Sequence, residues 1–485
     1  MTWGFYGRSE EQGHLDAILR RGRFAFVEVT GRRRIGKTSL VQRVLPASRP
    51  RFYVQLPDSA PAGILSAFHD AMEVLAIDVE RFPRPRSLAD AARFLAQLLR
   101  AGYVVAVDEF QYLARTQLAE LPSALQREVD GLQSEADRVP GVLLVLGSVH
   151  TEMAALLEER TAPLFNRTTD RVFVSHLDAG SLKELLSAHG GVEPERFLFL
   201  WSLFEGVPKF YRDAYEQGVL EVTTRRRVLE RLFFQSSSPL RHEADNWFLK
   251  ELRGRYDVAL KYIARHPGCT HANLVAHVRA TSPDTDEQVG GYLKVLTERF
   301  GMVERRLPMF ARREQKQGRY YITDNFLRSW LAALKQTTDA LAFLPVPQLV
   351  AQADERLQEV EGHSLEKLAG ALLQERSRKG VGAISITEHI RGYWDRAGTE
   401  IDLVAKNDSA EKLWLGQCRR DATRLVAGAH ALDGHAARFV GARQELRPFS
   451  VEKLAVAPRI DPDTRAELRS LGHIPLDLTD LLEGL

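Results

Sequence analysis

Eight consecutive residues, Gly31-Arg32-Arg33-Arg34-Ile35-Gly36-Lys37-Thr38, carry the most specific chemistry in this chain. They follow the apolar run Phe24 to Val29 and precede Ser39 to Val44, so strand, glycine loop and helix arrive in the order a phosphate cradle requires. Gly31 and Gly36 let the backbone turn tightly and aim N–H groups at phosphate oxygens, and the positive end of the helix favours the same anion. Lys37 can then reach the β- and γ-phosphates of a nucleotide, with the Thr38 hydroxyl on Mg²⁺ and Ser39 in the first helical turn. A second constellation lies in Val104-Val105-Ala106-Val107-Asp108-Glu109, an apolar strand ending in two carboxylates. Asp108 suits the water shell of Mg²⁺, and Glu109 suits the orientation or deprotonation of an attacking water. Ser148 closes the apolar run Val142 to Gly147 and can sense a γ-phosphate or cap a helix. Arg167, just before the strand Arg171 to Val174, can point at the γ-phosphate of a neighbouring subunit or form a surface salt bridge.

Other elements must hold these residues in place. Phe5-Tyr6-Gly7-Arg8 leads into a short helix with Leu15, Ile18 and Leu19, and can lie across the base of a bound nucleotide. Pro46 and Pro50 break the chain before a second strand, Phe52 to Gln55. Ser87 opens a helix whose Leu88, Ala91, Ala92, Leu95, Leu98 and Leu99 share one face. At 485 residues the chain exceeds one core, and roughly 150 residues per domain suggests three or so. With 66 Lys and Arg against 64 Asp and Glu, a nucleic-acid surface has to come from local clustering rather than net charge. Cys269 and Cys418 can build neither a disulfide framework nor a sulfur-ligated metal site. Met1 to Arg8 has no apolar targeting core, and no apolar run approaches the roughly 18 residues that would span a bilayer, so a cytoplasmic protein without membrane contact is expected.

Phe5-Tyr6-Gly7-Arg8, the loop GRRRIGKT, the run VVAVDEFQYL at Val104 to Leu113 and PLFNRT at Pro163 to Thr168 together resemble the archaeal-type, AAA+-related P-loop ATPases of the STAND group. The resemblance implies an α/β core over residues 1–178 with a parallel sheet in the order 5-1-4-3-2, binding of ATP or ADP with Mg²⁺, and a nucleotide-dependent homo-oligomer. It implies further that Gly7 and Arg8 contribute to the nucleotide site. Val149-His150 departs from the small hydroxyl residues more usual after Ser148. The span 179–245 would form a helical lid in which Pro208, within Gly206-Val207-Pro208-Lys209, contacts the nucleotide-binding face. The three consecutive arginines Arg32, Arg33 and Arg34 exceed what backbone cradling needs, and some of them are expected to face the lid or a neighbour.

Residues 246–345 read as a winged-helix domain and a linker helix. Three helices, packed through residues such as Leu260, Leu274 and Leu293, precede a hairpin of Met302 to Arg305 and Arg319 to Ile322. Arg305, Arg306, Arg312, Arg313, Lys316 and Arg319 on that hairpin suit a phosphate backbone, whereas Asp284, Asp286, Glu287 and Glu298 make the third helix a poor major-groove reader. DNA contact and protein docking both fit this segment. Phe326 to Leu344 is expected to be an apolar helix, ended by the linker Leu344-Pro345-Val346-Pro347.

Beyond it, residues 346–485 have the layout of a PD-(D/E)XK nuclease fold. A helix over Glu361 to Leu373 carries Glu366; strands follow at Ala383 to Thr387, Glu400 to Val404 with Asp402, and Leu413 to Cys418 with Gln417 before Arg419. The resemblance is to the nuclease-like domain often attached to these ATPases, but Gln417 stands where an acid is usual and Arg419 where Lys is usual. Arginine resists deprotonation, and a missing carboxylate weakens binding of a hard metal, so a catalytically silent domain is expected. The chain therefore reads as an ATP-binding and ATP-hydrolysing switch coupled to a winged-helix and a nuclease-like domain. Two other readings remain open: an ATP-gated DNA endonuclease using Asp402, Gln417 and Arg419, and a non-enzymatic DNA-binding regulator that responds to ATP.

Overall fold

The computed structural model describes residues 2–45, 48–148, 151–221, 223–245, 257–281, 289–312 and 317–485. Met1, Pro46, Val149, His150, Asp284, Asp286, Glu287, Arg313 and Lys316, named above, lie outside the described residues. The chain forms two compact units, Arg8–His176 and Met1–Gly7 with Leu177–Leu485.

In the first unit, strands β1 (Ala25–Gly31), β2 (Arg51–Gln55), β3 (Val104–Asp108), β4 (Val142–Ser148) and β5 (Asp170–Val174) form a sheet in the order β2-β3-β4-β1-β5. All neighbours are parallel, so the order agrees with the one expected. Every residue of β3 and β4 is buried, which is why both read as unbroken apolar runs rather than alternating ones. The helix Leu88–Arg100 covers the sheet with the apolar face its spacing predicts, and the Ser87 hydroxyl accepts from the Asp90 N–H to cap it. Phe52, Phe68 and Phe94 interlock beneath it, with Phe52 edge-on to Phe94 at 5.3 Å. The register aligns Gly31 with Ser148 and Gln55 with Asp108. The loop, the acids and Ser148 thus emerge at one edge of the sheet, the carboxyl ends of its strands, where open α/β sheets bind ligands.

The second unit carries two further sheets. Strands β6 (Cys269–Thr270), β7 (Val303–Arg306) and β8 (Arg319–Ile322) form an antiparallel sheet in the order β6-β8-β7; β6 lies between the helices Asp257–Arg265 and His271–Thr281, and β7 and β8 follow the helix Val289–Lys294. Strands β9 (Arg391–Trp394), β10 (Glu400–Asn407), β11 (Lys412–Cys418), β12 (Ser450–Ala457) and β13 (His473–Asp477) form the other, antiparallel from β9 to β11 and parallel from β11 to β13. A charge cluster around the buried Glu361 ties distant segments of this unit together. Glu361 pairs with Arg225 at 2.6 Å and with Arg420 at 3.0 Å, and Arg420 reaches Glu195 at 2.6 Å.

Three expectations are corrected here. The break expected at Leu344-Pro345-Val346-Pro347 is confined to Leu344 and Pro345: Pro345 holds the N-cap position of a 34-residue helix, Val346–Lys379, and Pro347 sits in its first turn, where a missing N–H costs nothing. The helix expected over Glu361 to Leu373 is the middle of that element. Ala383 to Thr387 forms no strand, being fixed instead by separate bonds such as Thr387 N–H to Lys406 O and Asn407 Nδ2 to Ser385 O. The apolar helix over Phe326 to Leu344 is built of four successive segments, regular over Asn325–Ser329 and Lys335–Asp339, wide over Trp330–Leu334 and tight over Ala340–Ala342. No described helix is long and apolar enough to cross a membrane.

Candidate functional site

β1 delivers the chain into the loop at Gly31, and the helix Lys37–Val44 takes it out. The left-handed backbone positions of the loop are Arg34 (φ 66°) and Gly36 (φ 92°), not Gly31. Gly31 is glycine for another reason than the turn expected. A Cβ there would stand 2.4 Å from the carbonyl oxygen of Val174 on β5, and a backbone atom in a sheet cannot swing aside. Gly31→Ala is therefore expected to lower the unfolding free energy by about 1–3 kcal/mol, as overpacking does. Urea denaturation measures it, and an unchanged midpoint would refute the steric account.

The Lys37 ammonium is buried and donates to the carbonyls of Gly31 and Arg32, both at 3.0 Å. Burial pushes its pKa down to about 8, against the attraction of Asp108 and Glu109. Among the described residues it makes no ion pair. A buried cation held only by loop carbonyls is what a phosphate oxygen would complement, so the cradle fits a nucleotide. Arg8, itself left-handed at φ 68°, donates Nη2 to the loop carbonyl of Ile35 at 3.0 Å and pairs with Glu11. Arg32 Nη1 lies 3.2 Å from His176 Nε2, Arg33 is exposed, and Ile35 is fully buried. Ser39 is exposed in the first helical turn.

Asp108 joins three elements. Its Oδ2 accepts from Thr38 Oγ1 at 2.5 Å and from the Tyr53 hydroxyl at 2.9 Å, and its Oδ1 accepts from the Glu109 N–H at 2.8 Å. A hydroxyl and a carboxylate oxygen in contact are the hard oxygen donors that Mg²⁺ takes, so this pair fits the ion. Burial and the Asp108 charge hold the Tyr53 hydroxyl protonated by raising its pKa. Glu109 is left-handed (φ 57°), and its Oε2 accepts from Gln111 Nε2. Ser148, buried at the end of β4, pairs with Gly31 across the sheet. Arg167 is engaged within its own unit: Nε and Nη2 form a forked pair with Asp130 at 2.6 and 3.1 Å, and Nη1 donates to Phe165 O. Tyr53 and Gln111 escaped the sequence reading. Only the sheet order puts β2 beside β3, whereas Gln111 stands two residues beyond Glu109 in the sequence itself.

In the second unit, Pro208 occupies the first turn of the helix Pro208–Glu216, after Gly206 accepts from Leu177 N–H. Gly7 has φ 63°, and a Cβ on it would meet Ser181 Oγ at 2.4 Å. The hairpin arginines have internal partners. Arg319 pairs with Glu400 at 2.6 Å and lies over Trp394; Arg306 donates Nε to Glu304 at 2.9 Å and lies over Tyr321. Arg305 packs against Gly318, and Arg312 is exposed.

A cavity of about 450 Å³ is lined by Glu366, Glu400, Asp402, Gln417, Arg419 and His435. The structure thus brings together all four residues the sequence suggested, and adds His435. Asp402 Oδ2 accepts from Cys418 N–H and from Arg419 Nη1, both at 2.8 Å. Gln417 donates Nε2 to Leu425 O, and its oxygen sits 1.9 Å from where a Cβ on Gly428 would stand, with no donor from the described residues. Burial, then the Glu366 charge, pushes Asp402 up to about 6; burial, opposed by Arg419 and aided by Glu400, pushes Glu366 up to about 7. Among the described residues no group of three or more His, Cys, Asp or Glu is placed to hold a metal ion. With Arg419 on Asp402 and the Gln417 oxygen turned to a helix, this set does not fit Mg²⁺.

No family model matches the chain. The uncharacterized protein MJECL04 of Methanocaldococcus jannaschii is 24% identical over 417 residues, 84% of this chain and 85% of that protein. Among solved structures, the ORC2 protein of Aeropyrum pernix in its ADPNP–ADP complexes is similar at TM-score 0.44 and 16% identity, covering 72% of this chain and 94% of that one. The Walker-type ATPase PABY2304 of Pyrococcus abyssi is similar at TM-score 0.50 and 18% identity, covering 67% of this chain and 96% of that one. That last likeness, with the parallel sheet and the loop after β1, shows an α/β fold of the P-loop ATPase kind.

Proposed function

We propose that the chain is an ATP-binding and ATP-hydrolysing switch whose nucleotide state governs a winged-helix and a nuclease-like domain acting on or near DNA. The observation that carries this reading is the 2.5 Å contact between Thr38 and Asp108, which joins the glycine loop to the acidic end of β3. In it, Lys37 and the loop N–H groups hold phosphate, Thr38 and Asp108 hold Mg²⁺ and its water shell, and Glu109 takes the proton of the attacking water. Mg²⁺, when bound, offsets charge on the phosphate oxygens. Arg167, once released from Asp130, serves a neighbouring copy. The likeness to the Walker-type ATPase of Pyrococcus abyssi supports the reading. The three helices and the antiparallel β6-β8-β7 sheet support the winged helix, with Arg305, Arg306, Arg312, Arg313, Lys316 and Arg319 toward DNA.

The test is the mass and bound nucleotide of the purified chain with ATP, with ADP and with DNA added, alongside ATP turnover. Turnover and a larger mass with ATP than with ADP are expected. A constant monomer would remove Arg167 from any role in a neighbour, and a chain that neither binds nor hydrolyses ATP would end the reading. Replacing Arg312, Arg313 and Arg319 with Ala is expected to weaken DNA binding and to flatten its dependence on salt, as lost phosphate contacts do.

A further inference from the structure

Gln111 is buried in the tight turn Phe110–Ala114 that follows β3, and among the described residues its amide makes a single hydrogen bond, from Nε2 to Glu109 Oε2. The amide oxygen is buried and has no donor among the described residues. It rests against Gly147 of β4, where a Cβ would stand 2.9 Å from it and 2.4 Å from Met153 Sδ. A side chain serving only to fill this space would be better apolar, because a buried amide oxygen without a donor opposes folding. The backbone around its partner is also constrained: Glu109 holds φ 57°, costly for a residue with a Cβ, and its carbonyl accepts from Tyr112 N–H. A strained acid, a buried amide aimed at it and a glycine that leaves room for the amide converge on one carboxylate.

We propose that Gln111 is a positioning residue for Glu109. It fixes Oε2 and leaves Oε1 as the acceptor for the proton of the attacking water. The inference rests on Glu109 acting as the base in the proposed ATPase. Gln111→Met keeps the length and fill and removes the donor; Gln111→Asn keeps the amide but withdraws it by one methylene. Both are expected to lower kcat for ATP at least tenfold, with KM and the affinity for a non-hydrolysable ATP analogue unchanged. Neither should lower the residual rate further in a Glu109→Gln background, because residues acting through one group are not additive. An unchanged or raised kcat in both Gln111 variants, or a loss that adds to that of Glu109→Gln, would overturn the positioning role and leave the ATPase reading standing. Turnover that survives Glu109→Gln undiminished, or is absent from the wild-type chain, would overturn both.

Discussion

Glu109→Gln is expected to lower steady-state ATP turnover by a factor of about 10²–10⁴, the usual worth of a positioned base, while the affinity for ATP stays near that of the wild type. Lys37→Ala is expected to remove binding and turnover together. The contrast follows from where the two side chains sit. Lys37 is a buried cation whose hydrogen bonds go to the loop's own carbonyls, so its complement is the ligand, and its loss is felt as soon as phosphate arrives. Among the described residues no hydrogen bond of Glu109 reaches the loop: its N–H donates to Asp108 Oδ1, its carbonyl accepts from Tyr112 N–H and its Oε2 accepts from Gln111 Nε2. Glu109→Gln keeps the shape and removes the basicity. Equilibrium binding of a fluorescent ATP analogue and phosphate release, measured on the same preparations, separate the two. If both variants turn over ATP like the wild type, Asp108 and Glu109 are an ordinary strand end.

What local sequence could convey, it conveyed well. A loop with two glycines, a lysine and a hydroxyl between a strand and a helix, and an apolar strand ending in two acids, are signals written in consecutive residues, and β1, β3 and β4 follow from them. The misses share one cause, a dependence on neighbours distant in sequence. Gly31 looked like a turn glycine, yet its constraint is the carbonyl of Val174, which only the pairing of β1 with β5 brings close. Arg167 reads equally as a salt-bridge partner or a residue reaching a neighbour, and only the placement of Asp130, on the helix Glu120–Ser134, supplies the partner it has. Tyr53 became part of the site because β2 lies next to β3. The prolines at 345 and 347 are ambiguous by nature, since a break between elements and the first turn of a helix both tolerate a residue without an N–H.

The C-terminal cleft is expected to bind no Mg²⁺ or Mn²⁺ and to cut no DNA, with or without ATP, and the double variant Gln417→Glu with Arg419→Lys is expected to gain Mn²⁺ affinity by at least tenfold, about 1.4 kcal/mol. The cation of this cleft is already present. Arg419 donates to Asp402 Oδ2, the same oxygen that takes the Cys418 N–H, and a guanidinium cannot give up its proton to make room. Gln417 supplies one neutral oxygen where a carboxylate would supply charge, and that oxygen faces Gly428. A metal would therefore have to displace an ion pair and settle on a set short by one anion. Glutamate at 417 restores the anion. Lysine at 419 replaces a fixed fork with a flexible point charge that can swing away from Asp402. Calorimetric titration of Mn²⁺ into the full chain and into the double variant, with Asp402→Ala as control, reads the difference. Mn²⁺-dependent cleavage of DNA by the wild-type chain, lost in Asp402→Ala, would contradict this account and make the cleft a working nuclease gated by the loop at Gly31 to Thr38.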